Sequence, residues 1–203
     1  MDKFNIIIHI SGASGSGKSY LGKRVLGLYG NKIIVKDIDE LRFDFLEYYG
    51  ETKKDVTEDV AYQEYINSYI DNIEKQNVPI IFVGINNHQC SSTPDLYYDF
   101  HTDYKFYIDI DDNQLVKQNC VRCLTNIIND EIAMNDLVND NEKFINVTHE
   151  IIKNHCNAKK IIENSKRWKN DYEKQGYIRA NSDEIYNQVV SILNNIMKGE
   201  TRK

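Results

Sequence analysis

A glycine-rich loop, within the stretch HISGASGSGKSYLGKRV at residues 9–25, constrains the fold of this 203-residue chain more than any other feature. An apolar run at residues 6–10 precedes the loop, and apolar residues at helical spacing follow it at Leu21, Val25 and Leu28. Uninterrupted apolar runs are typical of strands buried on both faces, whereas a spacing of three or four residues is typical of an amphipathic helix. The stretch therefore predicts a buried strand, a tight turn and a helix in direct succession.

Apolar runs alternate with helical spacing along the whole chain. This alternation predicts an α/β fold with three layers, α/β/α, in which a parallel sheet lies between crossover helices. Five strands are expected, at residues 5–10, 32–36, 79–83, 104–110 and 177–179. Further helical stripes are expected at Ile66, Ile70 and Ile73, at Val116, Cys120, Cys123 and Ile127, and at Ile185, Val189, Ile192 and Ile196.

The length of the chain fits a single domain at residues 1–203. The segment 126–175 separates the fourth and fifth predicted strands and is far longer than one crossover helix needs, so we expect an inserted helical lid there. Asn181 is followed three residues later by Glu184, and this pair predicts a capping box at the start of the last helix.

Charge and cysteine content restrict the partners of the chain. The formal net charge is −6, which disfavours nucleic acid as a partner because a polyanion would need a local basic patch. The apolar run at residues 6–10 is too short for a signal peptide or a membrane span, so we expect a cytoplasmic protein without a membrane partner. The four cysteines are expected to be reduced thiols in that compartment. The oligomeric state stays open.

The glycine-rich loop fits the phosphate-binding pattern G-x-x-x-x-G-K-[ST] at every fixed position. Its residues are Gly12, Ala13, Ser14, Gly15, Ser16, Gly17, Lys18 and Ser19. In such a loop, backbone amides and the N-terminus of the following helix surround a phosphate, the lysine reaches the β- and γ-phosphates, and the serine hydroxyl binds Mg²⁺. The alternative is a flexible turn that matches by coincidence, but the predicted strand and helix on either side favour nucleotide binding.

Two acids and an arginine follow the second predicted strand in the stretch IIVKDIDELRFDF. Asp37 and Asp39 alternate along the chain, so an extended backbone would place both carboxylates on one side, beside the phosphate loop. Asp37 can help to hold Mg²⁺ or substrate, and Asp39 can accept the proton of an attacking hydroxyl. Arg42 can hold a substrate anion. The alternative is that Asp39 only caps a helix at residues 40–49 and that Arg42 lies in solvent.

The third predicted strand excludes one class of nucleotide-binding protein. A switch GTPase carries D-x-x-G where this strand ends, whereas the stretch IIFVGINN contains no acid. The polar loop that follows, at residues 84–95, is expected at the same edge of the sheet, where Asn86, Asn87 and His88 could bind an acceptor substrate.

The loop GASGSGKS and the stretch DIDELR on the second strand resemble the nucleoside and nucleotide kinases among the P-loop proteins. DELR is similar to the Asp-x-x-Arg of polynucleotide 5′-kinases and zeta-toxin-like kinases, whose Asp serves as base, and DIDEL is similar to the Asp-x-Asp of shikimate-type kinases. The resemblance implies a P-loop kinase fold and a phosphotransferase that uses ATP and Mg²⁺. The acceptor would be a small molecule, with nucleosides and nucleotides as the candidate class. Ser19 and Asp37 would hold the metal, and Lys18 and Asp39 would be catalytic.

The resemblance also implies roles for residues after the fourth strand. The helix in DIDDNQLVKQNCVRCL resembles the one that carries arginines toward the phosphates, with Arg122 as the catalytic candidate and Lys117 as a second cation. Ala180 and Asn181 fall where related kinases contact adenine through backbone groups. The basic cluster of Lys166, Arg167 and Lys169 beside Trp168 would cover phosphates or stack on a base, or else form a solvated helix face.

Two other functions stay open: a 5′-hydroxyl kinase that acts on nucleic acid ends, and a nucleotide-binding module without turnover, which the missing acid after the third strand favours. A zinc site is a further hypothesis, for which the candidate ligands are Cys120, Cys123, His149, His155 and Cys156. The helical spacing of Cys120 and Cys123 favours small core residues instead. A tyrosine stripe at Tyr62, Tyr65 and Tyr69 is likewise expected to pack rather than to bind.

Overall fold

A computed structural model describes residues 6–52, 58–85, 87–90, 93–97, 101–129 and 140–199. The strands are β1 (Ile7–Gly12), β2 (Ile34–Asp37), β3 (Ile80–Val83), β4 (Asn87–Cys90), β5 (Thr93–Tyr97), β6 (Tyr104–Ile108) and β7 (Ile178–Ala180). The helices are α1 (Lys18–Tyr29), α2 (Ile38–Thr52), α3 (Glu58–Glu74), α4 (Asp112–Asn129), α5 (Asn141–His155), α6 (Ala158–Lys174) and α7 (Ser182–Met197), with a 3₁₀ turn at Gly30–Lys32.

The main sheet has five parallel strands in the order β2-β3-β1-β6-β7, which confirms the predicted fold class. The most central strand is β1, which pairs with β3 on one side and with β6 on the other. The chain leaves β1 toward β2 and leaves β3 toward β6, in opposite directions across the sheet. Such a reversal opens a crevice at the carboxyl ends of the strands, and the glycine-rich loop lies at this edge.

Alternate residues of each strand pack on opposite faces of the sheet, so the fold has three layers. On one face, Ile8 and Ile10 of β1 pack with residues of α1 and α7, among them Leu21 and Ile185. On the other face, Ile7 packs with α2 and α3. Tyr107, Tyr172 and Tyr177 form a smaller cluster with Ile85, and Tyr172 belongs to α6. Burial on both faces is the reason why β3 and, apart from His9, the first half of β1 read as apolar runs.

Two predicted helical stripes are shifted in the structure. Leu28 is 57% exposed, and α1 instead buries Leu21, Gly22 and Val25. In α7 the buried residues are Ile185, Val189 and Leu193, whereas Ile192 and Ile196 are half-buried. Both differences arise because a helix has 3.6 residues per turn, so the next buried residue can lie either three or four positions further on. Packing against the sheet decides which of the two is buried.

The predicted strands are present, with their bounds shifted by one or two residues. The prediction of a loop at residues 84–95 is wrong. In the part of this segment that the structure describes, β4 and β5 pair as a two-stranded antiparallel sheet. Polar residues favour a loop in the sequence, but an antiparallel hairpin outside the main sheet is not buried on both faces by crossover helices and needs no apolar run.

Part of the predicted insertion is helical, since α5 and α6 occupy residues 141–155 and 158–174. Both helices have a side-chain N-cap: the side chain of Asp140 accepts from the amide of Lys143, and that of Asn157 accepts from the amide of Lys160. The acidic stretch 130–139 lies outside the described residues. Within the described ranges, no helix is both long enough and apolar enough to cross a membrane.

Candidate functional site

The glycine-rich loop joins β1 to α1 at the middle of the sheet's carboxyl edge. The amide of Ser16 donates to the carbonyl of Ala13 at 3.0 Å, which closes the loop into a turn. Gly17, immediately before α1, has a φ of 92°, a left-handed conformation that residues with a Cβ rarely adopt. The first amides of α1 lack intrahelical acceptors, so this end of the helix favours an anion. The local geometry is thus suited to a phosphate.

Lys18 folds back onto the loop. Its Nζ donates to the carbonyl oxygens of Gly12 and Ala13, each at 2.9 Å. Withdrawal from water lowers the pKa of Lys18 to about 8; the carboxylates of Asp39 and Asp37 oppose this shift, and the guanidinium of Arg122 adds to it. Charged groups from β2, α2 and α4 therefore act on Lys18 at the loop.

Asp37 links the end of β2 to both neighbouring helices. Its Oδ2 accepts a hydrogen bond from Ser19 Oγ at 2.7 Å, and its Oδ1 accepts from the amide of Asp39 at 3.0 Å. The predicted extended geometry is wrong for Asp39, because α2 begins at Ile38 and places Asp39 in its first turn. The alternative that Asp39 caps the helix is also wrong, since the side chain that accepts from the first turn is that of Asp37.

Arg42 follows Asp39 by three residues on α2, which puts both on one face of the helix. In the described part of the chain, its buried Nε has no hydrogen-bond partner, and its guanidinium carbon lies 5.3 Å from the centre of the Phe43 ring. Tyr62 lies within electrostatic range of both residues: burial raises the pKa of its hydroxyl, Arg42 opposes the rise, and Asp39 adds to it. Arg42 is therefore close to Asp39 and is not a side chain in open solvent.

α4 reaches the loop from the other side. Asn119 Nδ2 donates to the carbonyl of Ser14 at 2.7 Å and to that of Leu115 at 2.9 Å. Arg122, one turn later, is exposed, and its charge acts on Lys18. Lys117 is also exposed. Sequence analysis missed Asn119, because an asparagine among polar helix residues carries no signal of its own.

A cleft of about 620 Å³ lies beside the loop, between the start of α4 and the start of α7. Ser16 and Gly17 line it on the loop side, and Tyr20 lines it from α1. The other lining residues are Ile108, Asp109, Ile110, Asp111, Gln114, Gln118, Asn181, Ser182, Asp183, Glu184 and Asn187. The cleft is large enough for a nucleoside that extends from an anion bound at the loop.

Ala180 and Asn181 line an adjoining cavity of about 540 Å³, which shares Asp109, Asp111 and Glu184 with the cleft. Asn181 also makes the predicted capping box. Its side chain accepts from the amides of Asp183 and Glu184, and Glu184 accepts from the amide of Asn181. Its backbone carbonyl also accepts from the amide of Ile185 at 3.0 Å, so both the side-chain oxygen and the carbonyl of Asn181 take part in the start of α7.

The basic cluster on α6 does not form a phosphate-binding face as a unit. Lys169 and Arg179 each form a salt bridge with Asp109. Trp168 packs against the cluster formed by Tyr107, Tyr172, Tyr177 and Ile85. Burial acts to raise the pKa of Asp109, but the contacts with Lys169 and Arg179 outweigh it and lower that pKa. Lys166 and Arg167 are exposed, as the solvated-face alternative expects. Lys166 and Trp168, which are two residues apart, lie on opposite sides of the helix.

The predicted acceptor residues are only partly visible. Asn86 lies outside the described residues. Asn87 and His88 begin β4, where they pair with Tyr97 and Leu96, and their side chains are not described. The structure therefore brings the backbone of this hairpin to the end of β3 and leaves the roles of Asn86 and Asn87 as predictions.

His9 is a buried polar residue that sequence analysis missed. Its Nδ1 accepts from the hydroxyl of Tyr177, and its Nε2 donates to the carbonyl of Gly84 at 3.1 Å, because a carbonyl can only accept. Burial lowers the pKa of His9 to about 4; the Gly84 contact opposes the shift, and the charges of Lys105 and Lys18 add to it. The only signal in the sequence is a titratable residue inside an apolar strand.

The cysteines of α4 are half-buried rather than fully buried as core residues. Cys120, Cys123 and Cys156 are free thiols, and Cys120 Sγ lies 4.0 Å from the carbonyl oxygen of Cys156. The side chains of Cys90, Ile127 and His155 lie outside those that the structure describes. The tyrosine stripe does pack, as predicted: Tyr62 is buried, and Tyr65 and Tyr69 pack against the same cluster.

No protein-family model matches the chain, and no curated protein matches it significantly. Among solved structures, the chain is similar to thymidylate kinase from Ehrlichia chaffeensis, with 16% identity and a TM-score of 0.35 over 56% of this chain and 81% of that one. It is also similar to an uncharacterized protein from Eubacterium ventriosum, with 15% identity and a TM-score of 0.40 over 94% of this chain and 98% of that one. Similarity at this level carries no information about function.

Proposed function

We propose that this protein is a Mg²⁺-dependent phosphotransferase that moves the γ-phosphate of ATP to a small-molecule acceptor, with a nucleoside or nucleotide as the favoured class. One arrangement carries the proposal: Ser19 Oγ donates to Asp37 at 2.7 Å beside the glycine-rich loop, where the charges of Asp37, Asp39 and Arg122 also act on the ammonium of Lys18. A loop that only bound phosphate would need the lysine and the backbone amides. Carboxylates close to an anion site disfavour anion binding, so their presence is better explained by metal binding and proton transfer.

The donor atoms at Ser19 and Asp37 fit magnesium. A hydroxyl oxygen and a carboxylate oxygen lie 2.7 Å apart, and Mg²⁺ is bound by oxygen ligands in octahedral geometry, with phosphate oxygens and waters completing its shell. Ser19 would bind the metal directly, and Asp37 would hold it directly or through water. When bound, the metal offsets the negative charge of the β- and γ-phosphates.

The nucleotide would lie across the loop and the cleft. Lys18 would exchange its contacts with the carbonyls of Gly12 and Ala13 for the β- and γ-phosphates, whose charge restores the protonated ammonium. The ribose would occupy the cleft and the base would extend into the adjoining cavity, where Ala180 and Asn181 would contact it through backbone groups.

In the transfer step, the acceptor hydroxyl loses its proton to the carboxylate of Asp39 while its oxygen forms a bond to the γ-phosphorus. The bond between the γ-phosphorus and the β,γ-bridging oxygen breaks, and ADP leaves with the electron pair. Arg122 would stabilise the charge on the transferred phosphoryl group, and Arg42 would hold an anionic group of the acceptor. Asn86 and Asn87 would bind the rest of the acceptor.

The proposal also covers the domain organisation, the location and the lid. Residues 1–203 would act as one kinase domain in the cytoplasm, and residues 126–175 would form a lid that excludes water during transfer.

A screen of acceptors with γ-labelled ATP tests the function, and Asp39→Asn tests the mechanism. Nucleosides, nucleoside monophosphates, small hydroxy acids and oligonucleotides with a 5′-hydroxyl form the panel. Because a general base contributes about 10²- to 10⁴-fold, Asp39→Asn should lower kcat by at least about 100-fold while ADP affinity changes little. The matched control is Asp44→Asn, which removes an exposed carboxylate from the same helix.

Each outcome has a defined meaning. Transfer to a small molecule that Asp39→Asn abolishes and Asp44→Asn preserves supports the proposal. Transfer only to oligonucleotides, with strong salt dependence, identifies the nucleic acid kinase instead. Nucleotide binding without transfer to any acceptor identifies a binding module and overturns the proposal.

A further inference from the structure

The amide of Asn119 joins α4 to the phosphate loop, across 105 positions of sequence. Its Nδ2 donates at 2.7 Å to the carbonyl of Ser14 in the loop and at 2.9 Å to that of Leu115, one turn earlier in α4. Both Nδ2 hydrogens are therefore used. The orientation of the amide is determined as well, because its oxygen could not face two carbonyl acceptors.

Gly15 provides a second observation at the same contact. Its φ of +80° is a left-handed conformation, and a Cβ on it would lie 2.8 Å from Nδ2 of Asn119. A Cβ at that distance would displace the Asn119 side chain, so glycine is needed both for the backbone conformation and for the approach of α4. The loop and the helix are in close contact at this point, and not merely connected by one hydrogen bond.

We propose that Asn119 is a positioning residue that couples the phosphate loop to α4 and so sets where the nucleotide phosphates lie relative to Arg122. This inference rests on the proposed function, because it assigns Arg122 to the transferred phosphoryl group. Asn119 and Arg122 are three residues apart on one helix and therefore lie on one face. A shift of α4 moves Arg122 and, through Asn119, the Ser14 carbonyl together.

Loss of the amide has a defined consequence for the loop. The Ser14 carbonyl then turns toward water and the glycines on either side gain conformations, so the loop must be ordered again when phosphate binds. That ordering lowers nucleotide affinity, as it does for any binding loop that is not preorganised. Arg122 loses its defined distance from the loop at the same time, which lowers kcat.

The test compares Asn119→Ala with Asn113→Ala, which removes an exposed asparagine side chain from the same helix. Hydrogen exchange of the Ser16 amide, which bonds to Ala13 within the loop, reports loop order without any ligand. We expect that exchange to be faster in Asn119→Ala. The Kd for ADP should rise about 3- to 10-fold, as loss of one net hydrogen bond implies, and kcat should fall. Asn113→Ala should match the wild type.

A double-mutant cycle isolates the contact itself. Gly15→Ala should destabilise the wild type more than it destabilises the Asn119→Ala background, because only the clash with Nδ2 is relieved while the strain of a positive φ stays. Asn119→Asp serves if the alanine variant does not fold, since the carboxylate has the same size and no hydrogen to donate. It should accelerate exchange at Ser16 in the same way.

The failure of this inference is distinct from the failure of the proposed function. If the wild type binds no ADP, the proposed function fails, while Ser16 exchange and the cycle still decide the role of Asn119. Unchanged Ser16 exchange in both Asn119 variants, with additive stabilities in the cycle, would overturn the inference even in an active kinase. The inference would be supported if Asn119→Ala lowered thermal stability no more than Asn113→Ala does and accelerated exchange only at the Ser16 amide.

Discussion

Ser19 Oγ donates a 2.7 Å hydrogen bond to Oδ2 of Asp37, which ties the first turn of α1 to the end of β2. The two residues are 18 positions apart, and the contact needs both elements at the same edge of the sheet. A hydroxyl and a carboxylate thus meet beside a loop that favours phosphate. We expect Mg²⁺ to bind at Ser19 and Asp37.

Asp37→Asn should raise the Mg²⁺ concentration that supports half-maximal transfer by about tenfold, because the amide lacks the charge that holds a divalent cation. Affinity for ADP without Mg²⁺ should stay equal or improve, since a negative charge leaves the anion site. A Mg²⁺ titration of transfer, with ADP binding by calorimetry, measures both quantities. Asp71→Asn, an exposed position on α3, is the control. Equal Mg²⁺ dependence in the wild type and Asp37→Asn would exclude Asp37 from the metal site.

Lys18→Ala should weaken ADP and ATP binding by about 100-fold, a loss of close to 3 kcal/mol, which is in the range for a charge-assisted hydrogen bond to phosphate. The fold should persist, because the Lys18 ammonium is withdrawn from water and its removal relieves that cost. Calorimetric titration and thermal unfolding give the two readouts. Lys23→Ala removes an exposed cation from the same helix and should bind as the wild type does. Near-equal affinities would contradict the phosphate role.

His9 should make the stability of the protein depend on pH in the acidic range. Its pKa of about 4 in the folded state lies below the ordinary value of 6.5, so between these values the unfolded chain binds more protons. Stability therefore rises with pH through this window and is lost as pH falls from 6.5 toward 4. The full contribution is about 3 kcal/mol.

Urea unfolding at pH 7 and pH 5 measures this effect. The free energy of unfolding should decrease on acidification in the wild type, and His9→Gln should remove the part that His9 contributes. Glutamine keeps an amide donor for the Gly84 carbonyl and does not titrate. The same pH dependence in both proteins would show that His9 is not the responsible group.

Asn181→Ala should lower the stability of the protein by about 1 kcal/mol, because the side chain satisfies two amides at the start of α7. Nucleotide affinity should change by less than about threefold if Asn181 contacts the base through its backbone. Chemical unfolding and ADP titration separate the two effects. Asn195→Ala, exposed near the end of the same helix, should change neither. A large loss of ADP affinity would show instead that the Asn181 side chain itself contacts the base.

Much of the fold was predictable from sequence because its signals are local. The strand, loop and helix at residues 7–29 follow from an apolar run, glycines and helical spacing that are adjacent in the chain. The capping box at Asn181 and Glu184 needs only three residues of separation. The order of buried and helical segments likewise implied a parallel sheet, since parallel strands require crossover connections.

The site required more than these local signals. The sequence placed Asp37 and Asp39 near the glycine-rich loop, as the structure does, but the backbone turns from strand to helix between them, so Asp37 rather than Asp39 caps α2. On α6, helical rotation turned Lys169 toward Asp109 and Trp168 toward the tyrosine cluster, away from the role that their composition suggested.

Sequence alone was enough to place the glycine-rich loop at the carboxyl edge of a parallel sheet, because local periodicity and glycine placement are sufficient for that. Which side chains surround the loop depends on the packing of the whole chain. Asn119 meets Ser14 across 105 positions, and His9 meets Tyr177 across 168. Contacts at such separations depend on strand order and helix rotation, which arise from packing of the whole chain and leave no pattern in any single stretch of it.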